Sequence, residues 1–295
     1  MDIPTAYGIL KQCTGIETDA HTNRLIACMV HEPSPLNLGG QQLLPQYQFD
    51  DVRRKYIPSV TFYTDGSLRT IALEDSTRFP TPLGNFPAEY LTFYPDGSLC
   101  RLFPLNGKIS AYWSEKEEFA RSEPFSFTLP IGQFRCKIIS LHFYASGALR
   151  SITIAPGEHI QLQTPVGPLA ARIGFALYEN GSIDSLEPVG GTTIPTPIGN
   201  IPVFDPFALG IHADTNSLHF DIQGNLQSLH TTHAFRLRTP EQTLVIEPAK
   251  KPSPLDDELL LTLPTIVHFH EDSITFQRRD KSWEVPCKST SFQVL

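Results

Sequence analysis

FYPDGSLCRL, residues 93–102, is the stretch whose reading decides the fold. Pro95 supplies the φ wanted at the second position of a type I turn and Asp96 suits the third. Gly97 then takes the left-handed conformation that closes a β-hairpin with a bulge. The pattern recurs as FYTDGSLRTI from Phe62, FYASGALRSI from Phe143, LYENGSIDSL from Leu177 and a worn copy, FDIQGNLQSL, from Phe220. A two-residue Asp-Gly turn is the alternative, which Ser146-Gly147 and Gln223-Gly224 fit less well. Either way Gly66, Gly97, Gly147, Gly181 and Gly224 mark hairpin tips, at steps of 31, 50, 34 and 43 residues.

A second pattern alternates with the first: TPLGNFP from Thr81, LPIGQFR from Leu129, TPVGPLA from Thr164 and TPIGNIP from Thr196. Proline cannot donate to a ladder, so Pro82, Pro130, Pro165 and Pro197 belong at strand edges or corners, and this pattern reads as a second turn. Leu83, Ile131, Val166 and Ile198, one residue on, are expected to tuck inward. A phosphate cradle is the competing use of these glycines, but no helix start follows them.

Residues two apart on a strand share a face, so Leu91 and Phe93 should meet Leu99 across the turn. Equivalent triplets are Val60, Phe62 and Leu68; Leu141, Phe143 and Leu149; Phe175, Leu177 and Ile183; and Leu218, Phe220 and Leu226. By parity, the later Ile71, Leu102, Ile152, Leu186 and Leu229 fall on the opposite face. The expectation is an all-β chain of tandem antiparallel β-hairpin repeats, forming an elongated or rolled sheet with N- and C-terminal β caps. Residues 1–50 read as the N-terminal cap, 51–235 as the repeat array and 236–295 as a C-terminal cap or small extra β unit. Within the last, Ile274–Phe276 and Trp283–Val285 read as a final strand pair turning around 278–281.

Composition agrees with a turn-rich β protein: 26 prolines, 19 phenylalanines and only 18% charged residues among 295. A net charge of −8 argues against general binding to a phosphate backbone, so no nucleic acid is expected. No apolar run approaches a membrane span, and MDIPTAYGILKQCTG lacks the basic and apolar regions of a signal peptide. Five scattered cysteines without C-x-x-C are neither a disulfide framework nor a zinc site, which fits a reducing, cytoplasmic setting.

The long steps between glycines place insertions near 106–126 and 203–217. In AYWSEKEEFARSEPF, Ser114 followed by Glu117 fits a capping box, predicting a short helix over 115–121. Tyr112, Trp113 and Phe119 give it an aromatic side, and Glu115, Glu117 and Glu118 an acidic one. These six are the candidate binding residues, suited to a basic protein or a small polar ligand. The competing reading is that the aromatics only cap the core. The second insertion holds Asp205, His212 and Asp214 and reads as loop. Ahead of the first hairpin, the mixed-sign stretch 50–56 reads as a solvated loop, with anion binding as its alternative.

His268 and His270 share a strand face and could share one metal, but no third ligand stands out, so no metal or other cofactor is expected. His230 and His233 fall on opposite faces. No G-x-S-x-G, P-loop, H-E-x-x-H or G-x-G-x-x-G occurs, and adjacent acids such as Asp50-Asp51 and Asp256-Asp257 face opposite ways. No catalytic residue is nominated.

The FY-x-DG-S-L hairpin, over residues 62–229, resembles the MORN superfamily of repeats, particularly its longer bacterial variants. MORN units are shorter, carry more glycines and lack the interleaved Thr-Pro-x-Gly turn. The resemblance implies stacked antiparallel hairpins and binding to a protein or lipid surface; no functional residue carries over from it. The function expected is a non-catalytic binding or scaffold protein. The alternative is a metal-dependent or carbohydrate-processing enzyme whose site is assembled from dispersed residues.

Overall fold

The computed structural model describes residues 1–49, 52–208, 213, 215–254, 256, 258–279 and 281–295. The chain is nearly all β, with 54% strand and 2% helix, and its strand pairs are antiparallel. It divides into two compact units. One is Met1–Phe125 with Lys137–Ile152, and the other is Ser126–Cys136 with Thr153–Leu295. Among the described residues no helix is long and apolar enough to cross a membrane.

The turn chemistry read from residues 93–102 is present. Gly97 N–H donates to the Tyr94 carbonyl and Tyr94 N–H to the Ser98 carbonyl, each at 2.9 Å, with Gly97 at φ +84°. Asp96 Oδ1 accepts from the Ser98 backbone N–H and hydroxyl, fastening the turn from within. The same pair of backbone bonds closes the turns at Gly66, Gly147, Gly181 and Gly224.

The face assignment of the later aliphatics needs correction. Phe93 pairs with Leu99, but Leu91 pairs with Leu102, because a bulge intervenes between Leu99 and Arg101. Directly paired residues share a face, so Leu102 lies with Leu91 and Phe93 rather than opposite them. Ile71 opposite Val60, Leu186 opposite Phe175 and Leu229 opposite Leu218 repeat the shift. Each of these four hairpins therefore concentrates four apolar side chains on one face, all deeply buried around Gly66 and Gly181. The spacing Leu-x-x-Leu records the bulge; simple alternation does not apply across it.

The Thr-Pro-x-Gly turns cap hairpins that cover this face. Thr81 Oγ1 donates to the Gly84 carbonyl at 2.8 Å and accepts from Leu83 N–H at 3.1 Å. Thr164 and Thr196 do the same. So does Thr5 in Thr5-Ala6-Tyr7-Gly8, a copy that sequence comparison missed because alanine stands in the proline's place. Ile131 and Ile198 are buried, as expected of the residue after the proline; Leu83 and Val166 are half-buried. Aromatics join the layers within each unit. Phe79 packs on Phe93 and Tyr7 on Phe62 in the first; Phe134 packs on Phe175 and Phe235 on Phe276 in the second.

The C-terminal segment continues the second unit's ladder. Thr265–Phe269 pairs with Leu226–Thr231, then with Ser273–Gln277, which pairs with Ser282–Pro286. Phe269 opposite Ile274 and Val267 opposite Phe276 reproduce the hairpin pattern without its glycine.

Candidate functional site

The opposite face of the ladder is polar. In the first unit Thr61, Thr70, Thr92, Arg101 and His142 pair in succession across adjacent strands. In the second unit the succession is Ser185, His219, Ser228, His268, Thr275 and Glu284. The tyrosine that follows Phe62, Phe93 and Leu177 projects to this same side. Its hydroxyl reaches the next hairpin: Tyr63 donates to the Phe93 carbonyl and Tyr94 to the Phe143 carbonyl, each at 2.9 Å, and Tyr178 to the Phe220 carbonyl at 2.8 Å. These rings fill the space between successive tips.

The Gly224 hairpin breaks this rule. Asp221 stands where the tyrosine belongs, and Gln223 where the turn aspartate belongs. Asp221 takes over the fastening of the turn, accepting from the backbone N–H groups of Gln223 and Asn225 at 2.9 and 2.8 Å and from Asn225 Nδ2 at 2.8 Å. The Asn225 and backbone bonds hold its carboxyl below the ordinary aspartate range. The turn survives, but Asp221 sends no ring to the next hairpin. A groove of about 860 Å³ opens there, and its polar wall is built by Asp221, Gln227, Ser228, His219, His268 and His270.

His268 and His270 share a face, as their spacing requires, with rings 6.4 Å apart and 18° from parallel. Their Nε2 atoms meet Gln277 Oε1 at 3.1 Å and Thr275 Oγ1 at 3.2 Å. Among the described residues no group of three His, Cys, Asp or Glu side chains could hold a metal. His219 Nε2 donates to the Asn216 carbonyl at 2.7 Å, which leaves Nδ1 as an acceptor. Burial pushes this imidazole below its ordinary pKa, so it is neutral at pH 7. The wall thus offers imidazoles, a hydroxyl, two amides and the carboxylates of Asp221 and Glu271 beside Leu226 and Phe269. Such a set orients a ligand that carries both polar and apolar parts.

The first insertion is spent largely on itself. The helix forms at Glu115–Ala120 with the expected capping box: Ser114 Oγ accepts from Glu117 N–H, and Glu117 accepts from Ser114 N–H at 2.7 Å. Glu118 leaves the acidic side assigned to it and turns inward, 4% exposed. It accepts from Arg53 Nε and Nη2, Trp113 Nε1 and Gly107 N–H, all at 2.7 Å. Arg53 also meets Glu89 Oε2 at 2.6 Å. Phe119 and Trp113 are half-buried. Tyr112, 84% exposed, stays on the surface with Glu115 and Glu117. The six residues are neighbours, but they do not form one exposed patch.

The second insertion is anchored by a similar device. Arg172 Nη2 meets Glu187 Oε1 at 3.0 Å and the Asp205 carbonyl at 2.7 Å, and His230 Nδ1 meets Asp205 Oδ2 at 2.9 Å. His212, Asp214, Asp50, Asp51 and Asp257 lie outside the described residues.

Cys100, the extra residue of the Gly97 bulge, holds the other unusual group of this face. Burial raises its thiol, but bonds with His142, Thr92 and Tyr94 outweigh that and leave it below the ordinary value. Sequence reading passed over Cys100, His219 and Asp221. The departure of FDIQGNL from FYPDGSL was the one signal for the groove, and it was visible only against the other copies.

No protein-family model, curated protein or solved structure matches the chain, so the likeness to MORN repeats rests on the hairpin motif alone.

Proposed function

We propose that this protein is a non-catalytic binding protein, a tandem β-hairpin array closed by N- and C-terminal β caps, whose working surface is the groove at the Gly224 hairpin. One observation carries the reading: the groove lies where the array omits the ring that closes the equivalent space at Tyr63, Tyr94 and Tyr178. The omission is compensated at the turn by Asp221, so it leaves an open site without loosening the hairpin. Imidazoles, amides, a hydroxyl and two carboxylates suit a small polar ligand that carries hydroxyl groups. Tyr112 and Glu115 remain available to a protein partner on the first insertion, but Trp113 and Glu118 are already engaged.

The test is a panel of sugars, polyols, amino acid amides and hydroxylated aromatics titrated into the full chain, with the imidazole resonances followed by NMR. Shifts confined to His219, His268 and His270, and lost in His268→Ala, are expected. A panel that moves none of these imidazoles would overturn the proposal.

A further inference from the structure

Resting on that reading of the groove, we infer that its occupant is a phenol, a ring whose hydroxyl donates to the Phe269 carbonyl. In three hairpins the array itself places a phenol in this relation: the ring leaves the residue after Phe62, Phe93 or Leu177, and its hydroxyl meets the carbonyl of the next hairpin's phenylalanine. The next phenylalanine after Phe220 is Phe269. It pairs with Ile274 as Phe93 pairs with Leu99, and His270 N–H donates to the Ser273 carbonyl as Tyr94 N–H does to Ser98. Among the described residues no side-chain hydroxyl reaches the Phe269 carbonyl, and Phe269 lines the groove beside Asp221. The receiving half of the contact is therefore built and the giving half is missing.

The walls suit a ring as well. Leu226, Phe269 and Pro197 supply apolar surface. His268 and His270 offer near-parallel ring faces against which a phenol can stack. Arg69 lies over Tyr63 and Arg150 over Tyr144, 5.6 and 5.4 Å from the ring centroids. The matching residue here is Gln227, so a foreign ring finds an amide in place of a guanidinium. A phenol can come free in solution or as the tyrosine of a partner segment, and both sources share this chemistry.

The full chain is titrated with p-cresol, N-acetyltyrosinamide and N-acetylphenylalaninamide, with the His268 and His270 imidazoles followed by NMR. Both phenols should bind, and the phenylalanine amide about five- to tenfold more weakly for want of the hydroxyl donor. Equal affinity for the two phenols marks a free phenol as the source, and tighter binding of the tyrosine amide marks a partner's tyrosine. Equal binding of the tyrosine and phenylalanine amides overturns the inference. So does a groove that takes other members of the ligand panel but neither phenol; a groove that takes nothing at all sinks the binding site itself. Asp221→Tyr combined with Gln223→Asp should supply the ring internally and restore the turn fastener, abolishing binding. Should that variant misfold, Gln227→Arg decides. A guanidinium over the ring should tighten phenol binding about threefold, and unchanged or weaker binding counts against the inference.

Discussion

Trp113 donates its indole N–H to Glu118 Oε2 across 2.7 Å, and that same oxygen accepts from Arg53 Nε at 2.7 Å. An aromatic residue and an acid that look like a recognition pair thus form the inner anchor of the first insertion. Gly107 N–H completes the shell on Oε1. Removing the carboxylate strips the buried Arg53 guanidinium of its two bonds to Glu118. Glu118→Ala should therefore cost about 3–5 kcal/mol in denaturant unfolding. A loss below about 1 kcal/mol would show that the network contributes little.

The same anchor sets an acid limit. Burial alone would raise the Glu118 carboxyl, but bonds from Arg53, Trp113 and Gly107 hold it below its ordinary value of 4.5. A depressed folded pKa means the stabilisation is complete above the ordinary value and is lost as pH falls through the folded one. Melting temperature should drop below about pH 4.5 more steeply in the native protein than in Glu118→Gln. Parallel pH profiles would contradict this.

Gly97 and Gly107 are needed for different reasons. Gly97 sits at φ +84° with open space around it, so Gly97→Val should cost about 1–2 kcal/mol through backbone strain alone. Gly107 has no such φ, but a Cβ there would collide with the Glu118 carboxylate. Gly107→Ala should thus approach the loss in Glu118→Ala, and the two should be strongly non-additive in a double mutant. Additive losses would separate Gly107 from the network.

Tyr94→Phe deletes one inter-hairpin hydroxyl and nothing else of the ring. It should cost about 1 kcal/mol, the net worth of one hydrogen bond. Tyr94→Ala should cost well beyond that, because the ring fills the space between tips. Equal losses would mean that the hydroxyl alone, and not the ring, joins the hairpins.

Alkylation separates the cysteines. Burial pushes Cys28 and Cys136 up to about 12, whereas Cys100 is held below its ordinary value by His142, Thr92 and Tyr94. At pH 7.5 iodoacetamide should modify Cys100 long before Cys28 or Cys136, as read by peptide mass spectrometry. His142→Ala should slow Cys100 severalfold by removing its first hydrogen-bond partner. An unchanged rate would remove His142 from the account.

What the sequence alone determined is local. A proline, an aspartate and a glycine in consecutive places specify a turn through φ preferences and one side-chain bond, and Ser114 with Glu117 specifies a helix start in the same way. Neither depends on anything more than a few residues away, so both were legible. The faces of the later aliphatics were not. Leu102 joins Leu91 only through a bulge, and a bulge is a property of two paired strands. The tertiary structure likewise decided the fate of Glu118, whose partner Arg53 stands 65 residues earlier. It decided the groove too: a ring missing at Asp221 matters because the carbonyl it would have met belongs to Phe269, on a strand that only the folded ladder brings alongside.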